Sequence, residues 1–389
     1  MNSFHIAPKA VYLHIPFCTN KCHYCDFNSY VLKGQPVREY LDALEREMEQ
    51  TVKQLPPDGI ETIFVGGGTP TVLLPDQMEH FLRLVRTYFF HGDARDEQIE
   101  FSMEANPGTT DIDKLHAMKA GGVNRISFGV QSFDPMLLAE IGRIHNVDDV
   151  YRSIENARTA GFNNLSIDLM FGLPKQTIAM MQQTLDAALK LDLQHYSIYG
   201  LKVEENTLFH TLFQKNQLAL PDEDDEVQMY LSIMERLQAA GYSQYEISNF
   251  AKPGYESRHN SMYWRNQSYY GLGAGAHGYM LRQRHSNVKA IQPYIDATKL
   301  GLPILDGHEV SREEAMEDFM MVGLRMLKGV TNQDFSSQFD VTMESVFGEI
   351  LEKLTQKKLL TAFDGGYRLS EHGILLGNEV FAEFIGIFA

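Results

Sequence analysis

Cysteine is scarce in this 389-residue chain: three occur, and all lie between positions 18 and 25. An odd, tightly clustered set makes a poor disulfide framework and a good metal-ligand set. Positive charge is also in deficit. Against 51 Asp and Glu stand 34 Lys and Arg, a formal net charge of −17. That balance excludes a general nucleic-acid binder, which needs a basic footprint, and argues against a polybasic membrane anchor. No apolar run reaches the ~18 residues of a membrane span. The opening stretch, MNSFHIAPKAVYLHIPFC, has no cationic segment followed by an apolar one, so no signal peptide is read there. Together these absences predict a cytoplasmic protein. Internal repeats and low-complexity linkers are also lacking, and Trp264 is the only tryptophan.

The chain does have enough hydrophobic residues, 44%, to bury a substantial core without staples. Its length suits one large domain plus a smaller one. The first half alternates short β-branched runs with helical periods. Strands are predicted at Ala10–Ile15, Thr62–Val65, Ile99–Met103, Arg125–Phe128, Leu165–Leu169 and His195–Tyr199. Tyr40, Leu41, Leu44 and Met48 mark one intervening helix, and Phe81, Leu82, Leu84 and Val85 another. Such alternation implies a parallel sheet with right-handed crossovers. Six units fall short of the eight of a closed barrel, so residues 1–205 read as an α/β fold, an open partial (β/α)6 barrel.

Residues 206–310 read as an extension of that barrel and a connecting region. The acidic run Pro221–Glu226 there suits the first turn of a helix, where carboxylates favour the amino terminus. Residues 311–389 read as a smaller, mainly helical, winged-helix-like domain ending in a hairpin around Gly365-Gly366. With the acidic charge, it is expected to be a scaffold and not a DNA reader.

The loop after the first strand reads Cys18-Thr-Asn-Lys-Cys22-His-Tyr-Cys25. Three thiolates on one short loop can wrap one metal centre. Zinc would need a fourth ligand, for which His14, His23 and Asp26 are at hand. An iron–sulfur cubane normally takes four thiolates. With three cysteines in the chain, one iron would stay open to an exogenous ligand, a catalytic arrangement.

The C-x3-C-x2-C spacing directly after a first barrel strand resembles the signature of the radical SAM superfamily. That resemblance implies a [4Fe-4S] cluster on Cys18, Cys22 and Cys25, with S-adenosylmethionine (SAM) chelating the open iron. It implies one-electron cleavage of SAM to methionine and a 5'-deoxyadenosyl radical, and a shielding role for Tyr24. Gly66-Gly67-Gly68-Thr69-Pro70, which alone would read as a plain turn, matches the superfamily's glycine motif for the SAM amino group. Glu104 ends the third strand and suits the SAM ammonium. Gln131 and Asp168, near the ends of the fourth and fifth, suit ribose hydroxyls. Arg143, placed on the helix after the fourth strand, suits the SAM carboxylate. Singly, each reads equally well as an ordinary salt bridge or cap. Together they sit at successive strand ends, where the sites of such barrels lie.

Further segments narrow the resemblance. Tyr12–Cys18, Gly66–Pro70, Asn124–Gln131, Gly142–His145 and Asp168–Pro174 are similar to the oxygen-independent coproporphyrinogen III oxidase-like (HemN-like) group. That similarity implies that Tyr12, Gly67, Gly68, Thr69, Glu104, Gln131, Arg143 and Asp168 line the SAM pocket. Two features depart from the oxidases. Phe27 stands where they carry a fourth cysteine, and only nine residues precede the first strand. Both, with His259-Asn-Ser-Met-Tyr-Trp264, resemble the HemW family of heme chaperones.

This resemblance implies heme as cargo, acceptor hemoproteins such as respiratory cytochromes, an electron donor, and no oxidase activity. It leaves room for a homodimer and for peripheral membrane contact. The alternative is the oxidase itself, which decarboxylates propionates of a porphyrinogen by radical chemistry. His259 taken alone reads as a structural hydrogen-bonder, yet imidazole is the usual proximal ligand of heme, and Tyr263 and Trp264 could cover a flat macrocycle. Gly273–Gly278 matches G-x-G-x-x-G, but no strand–helix unit with a ribose-binding acid follows it.

Overall fold

The structure, a computed structural model, describes residues 7–388. Expectations attached to the first six residues fall outside it. Six parallel strands form the centre: β1 (Ala10–Ile15), β2 (Thr62–Gly67), β3 (Glu100–Ala105), β4 (Arg125–Gln131), β5 (Leu165–Phe171) and β6 (His195–Gly200). They pair in chain order, each crossing over to the next. Every strand expected from the sequence is present, shifted by a few residues at its ends.

Period-two alternation gives the sheet two different faces. Val11, Leu13, Ile15, Val65, Phe101, Met103, Phe128 and Ile167 are fully buried in the main core. Helix Val37–Gln54 lays Tyr40, Leu41, Leu44 and Met48 into that core, and helix Pro75–Phe89 adds Phe81, Leu82 and Val85. The intervening positions, Tyr12, His14, Glu104, Ser127, Asp168 and Ser197, share the opposite, concave face. A sheet buried on both sides would be apolar on both, so this polar inner face marks a ligand cleft.

The sheet is wider than the six strands expected. At one edge β7 (Ser243–Glu246) and β8 (Asn249–Ala251) add antiparallel to β6. At the other, β9 (Tyr269–Leu272) adds parallel to β1, followed by antiparallel β10 (His277–Met280), β11 (Gln283–Asn287) and β12 (Ile304–Glu309). The whole sheet has 12 strands.

The carboxy-terminal part has its own core, built on Phe319, Phe335, Phe339, Phe347, Leu351 and Phe384. The expected hairpin forms from β14 (Leu360–Phe363) and β15 (Gly366–Leu369), and β13 (Val330–Thr331) joins it as a third strand. Helices and a small three-stranded sheet make the winged-helix-like pattern. It is tied to the barrel by Arg325, which lies 4.4 Å over the Trp264 ring and 3.6 Å from the buried Glu246 carboxylate. No helix among the described residues is long and apolar enough to cross a membrane.

Glu47 locks the β9 edge to the core. Fully surrounded by protein, its carboxyl accepts from Gly273 N–H at 2.8 Å, from Asn287 Nδ2 at 2.6 Å and from the Tyr294 hydroxyl. Burial pushes its pKa up to about 7 against the pull of these three donors. Removing the acceptor strands three buried donors, each worth about 1–3 kcal/mol. Glu47→Ala should therefore lower unfolding stability by at least ~3 kcal/mol, and Glu47→Gln by less, as read from denaturant midpoints.

Candidate functional site

The cysteine loop starts where Phe17–Cys18 leaves β1 and pairs in parallel with Tyr30–Val31. This short ladder folds the loop back over the carboxyl ends of the central strands. All three thiols are free and partly exposed. Burial raises the pKa of Cys18 and Cys25, so as thiols they are poor nucleophiles, and a metal is what would hold them as thiolates.

The donors fit a cluster better than one ion. Among the described residues no three His, Cys, Asp or Glu side chains converge to hold a single metal ion. The nearby imidazoles are engaged elsewhere. His14 bonds Tyr12 Oη at 2.9 Å and the Asn28 carbonyl at 2.8 Å, and His23 Nδ1 bonds the Glu140 carbonyl at 2.8 Å. The zinc reading thereby loses His14, whose two ring nitrogens are both bonded, while His23 keeps Nε2 open. A cubane asks only that each of three irons meet one thiolate, and three separated thiols on one loop meet that demand.

Two of the sulfurs are already hydrogen-bonded. Thr69 Oγ1 donates to Cys18 Sγ at 3.6 Å, and Arg143 Nη1 to Cys22 Sγ at 3.5 Å. Asn106 joins the two donors: its Nδ2 donates to Thr69 Oγ1 at 2.7 Å, and its Oδ1 accepts from Arg143 Nη2 at 2.6 Å. Arg143 also donates to the Gly129 carbonyl. The sequence reading missed Asn106, because an Asn-Pro pair after a strand signals a turn. It also misplaced Arg143. The residue lies not on a helix but in the extended link between helices Pro135–Glu140 and Val147–Thr159, which lets its side chain reach back into the strand ends.

Glycine is required where these parts meet. Gly67 has φ +102°, and a Cβ there would lie 2.3 Å from the His14 ring. A Cβ on Gly129 would press on Asn106, Gln131 and Arg143 together, at 3.0–3.2 Å. Gln131 itself has φ +67° and sits at a bulge where β4 leaves β5, which turns its side chain into the cleft. Gly67 N–H donates to Glu104 Oε2 at 3.1 Å and Gly68 N–H to the Ile15 carbonyl at 2.9 Å. Both amides are thus spent inside the protein.

Two carboxyls face the cleft. Glu104 lies in register beside Ser127, and Asp168 beside Gly129 and Ser197. Ser127 donates to Asp168 at 3.0 Å. Burial and the charge of Asp168 push the Glu104 pKa up to about 8, and burial raises that of Asp168. Neither carboxyl has an ion-pair partner among the salt bridges of the described residues. A cationic ligand in the cleft would relieve both.

Tyr24 packs against Leu137, Leu138 and Phe209, closing one side of the loop. Tyr12 lies on the inner face, stacked 6.3 Å from Phe64. The structure thus brings Tyr12, Tyr24, Gly67, Gly68, Thr69, Glu104, Gln131, Arg143 and Asp168 to the same strand ends as the three cysteines. His259 is set apart. It is fully buried, with Nδ1 2.9 Å from Thr62 Oγ1 and Nε2 2.9 Å from Tyr263 Oη. Burial, then the charge of Arg125, push its pKa down to about 3. Both ring nitrogens are committed, so in this conformation His259 offers none to a metal. Trp264 lies under Arg325 and not over the cleft.

The radical SAM superfamily model matches residues 12–188, and the HemN C-terminal domain model matches residues 310–376. Among solved structures, coproporphyrinogen III oxidase (HemN) from Escherichia coli superposes with a TM-score of 0.85 at 23% identity, over 98% of this chain and 91% of that one. The fold is therefore that of a radical SAM protein. Several relatives bear the description heme chaperone HemW. The one from Bacillus subtilis is 45% identical over 97% of this chain and 99% of its own. The one from Escherichia coli is 34% identical over 98% and 99%. The chain belongs to the HemW family of the radical SAM superfamily.

The raised Glu104 pKa has a sign that can be checked. Folded Glu104 keeps its proton up to about pH 8, whereas unfolded it loses it near 4.5. Its contribution to stability is full below about 4.5 and is lost as pH rises towards 8. Glu104→Gln abolishes that loss. In thermal unfolding of the cofactor-free protein, the Tm of Glu104→Gln relative to the parent should rise between pH 5 and pH 8.5. An unchanged difference would show that Glu104 is ionised normally.

Proposed function

We propose that the protein is a heme chaperone: it binds heme and passes it to acceptor hemoproteins such as respiratory cytochromes, and it does not oxidise coproporphyrinogen III. The observation that carries this reading is full-length identity of 45% with a relative described as heme chaperone HemW. Phe27 agrees with it. Where the oxidase-like resemblance calls for a fourth cysteine, this side chain is 62% exposed at the edge of the cleft.

In the same reading Cys18, Cys22 and Cys25 ligate a [4Fe-4S] cluster. When bound, it would supply single electrons to SAM. The chain's own groups do the holding. Thr69 and Arg143 orient Cys18 and Cys22 through bonds to their sulfurs, and Asn106 fixes both donors. Glu104 and Asp168 supply negative charge for the SAM ammonium and acceptors for ribose hydroxyls, with Gln131 beside them. Arg143 has five donors, and those not spent on Cys22, Asn106 and Gly129 suit the SAM carboxylate.

Three measurements test these assignments. Cys18→Ser, Cys22→Ser and Cys25→Ser should each lose the iron–sulfur absorbance after anaerobic reconstitution while keeping the fold. Full iron and sulfide in all three would remove the cluster from this loop. Arg143→Ala and Asp168→Ala should weaken SAM binding to cluster-loaded protein by roughly 10- to 100-fold, the worth of a charge-assisted bond of about 1.5–3 kcal/mol. Asn106→Ala should weaken it too, since Arg143 loses its anchor. Finally, cluster-loaded protein given coproporphyrinogen III, SAM and a reductant without oxygen should release no decarboxylated product, yet should bind heme in a parallel titration. Product over many turnovers would establish the oxidase reading instead.

A further inference from the structure

A second cleft opens beside the cysteine loop. Its volume is about 760 Å³, in the range of sites that hold a compact cofactor. Five aromatic side chains line it: Tyr12, Phe27, Tyr30, Tyr263 and Tyr269. Cys25 lies on its wall, so whatever fills it sits next to the cysteine loop. Phe27, a large apolar group largely open to water, gains most by being covered.

His277 also lines this cleft. It is the first residue of β10, is exposed, and among the described residues no group hydrogen-bonds its ring. The neighbouring imidazoles are not available in this way. His14 and His259 have both ring nitrogens bonded, and His285 is buried beneath Gly278. His277 and Cys25 line the same cleft, which puts the imidazole on the side of the cysteine loop. The placement is built in. A Cβ on Gly271 would lie 1.7 Å from the His277 carbonyl oxygen, so glycine at 271 is what lets β10 come this close to β9.

Resting on the heme-binding reading above, we propose that His277 is the axial ligand of the bound heme, which lies in this aromatic cleft beside the cysteine loop. An exposed imidazole with no hydrogen-bond partner among the described residues, lining an aromatic cavity, is the donor that heme iron takes. The tyrosine rings and Phe27 offer faces and edges to the macrocycle. Lys21 and Lys289 also line the cleft and offer positive charge to propionate carboxylates, although the Lys21 ammonium already donates to the Phe27 carbonyl and to Ser29 Oγ. Asp26, Glu204 and Glu205 line the cleft too and disfavour propionates beside them. His259 becomes a positioning residue. Its bond to the Tyr263 hydroxyl holds that ring, which meets Tyr269 edge-on at 4.7 Å, in the cleft wall.

The test is ferric heme titrated into the full-length, cluster-loaded protein, followed by difference absorbance and by electron paramagnetic resonance of the heme iron. His277→Ala should weaken binding by more than about tenfold, since even groups that only support a metal ligand are worth roughly 10–100-fold. His277→Met should bind with an altered Soret band and altered heme g-values, the signature of a changed axial ligand. His259→Gln should keep the parent spectrum even where affinity falls. Parent-like spectra and affinity in both His277 variants would overturn the assignment while leaving heme binding intact. No saturable heme binding by the parent protein would overturn the chaperone reading itself, and the assignment with it.

Discussion

A polar face on a central sheet has to be answered group by group, because each unpartnered donor or charge away from water costs on the order of 1–3 kcal/mol. Most of the inner face is answered within the protein. Tyr12, His14 and the Asn28 carbonyl form one chain of bonds, Ser166 and His195 another, Thr62, His259 and Tyr263 a third. Glu104 and Asp168 accept bonds too, from Gly67 N–H and from Ser127, but neither has an ion-pair partner among the described residues, and burial raises both pKa values. Glu104 and Asp168 are thus the carboxyls of the inner face whose charge a cationic ligand would complete. This separates a binding cleft from a merely hydrated one.

The Thr69–Asn106–Arg143 chain explains how a loop of eight residues acquires a fixed position over that cleft. Cys18 is placed by the ladder to Tyr30–Val31, and Cys22 by Arg143 and by the bonds of Asn20 and His23 to the carbonyls of Glu140, Ile141 and Gly142. Asn106, from the end of β3, holds Thr69 from the end of β2 and Arg143 from beyond β4 in one plane of hydrogen bonds. Three strand ends are thereby coupled to two sulfurs. Hydrogen bonds to cluster sulfurs are among the levers that set reduction potential, so the contacts that position the loop would also tune a cluster held by its thiolates.

Much of this was legible in the sequence. The central strands carry dense β-branched and aromatic runs, and the cysteine spacing is short and specific. What escaped notice did so for physical reasons. β12 is exposed along its whole length and β11 reads Gln-Arg-His-Ser-Asn, so neither has the apolar alternation that reveals a strand. They are held by main-chain pairing at a sheet edge, which leaves no mark in composition. β13 is two residues long. Asn106 gave a turn signal and a turn is what it makes, but its side chain has a second employment that only the meeting of three strand ends creates. Arg143 follows a helical pattern that ends at Glu140, and the break comes at Gly142, whose φ of +73° leaves no pattern in the side chains around it.

The His259 segment shows the limit of reasoning from residue type. Imidazole suits heme iron, and tyrosine and tryptophan suit a macrocycle, so chemistry alone places all three on the cargo. Packing separates them. His259 is enclosed between Thr62, Phe64 and Tyr263, and Trp264 serves the joint with the carboxy-terminal domain through Arg325. Only Tyr263 reaches a cleft. The segment therefore acts as a strut with two ends, one setting an aromatic wall and one fixing the smaller domain against the barrel. A histidine that titrates near 3 because it is buried stays neutral at any physiological pH, which suits a permanent hydrogen-bond bridge. Exposure on the neighbouring strand, and not ring chemistry, is what distinguishes the imidazole that a ligand can reach.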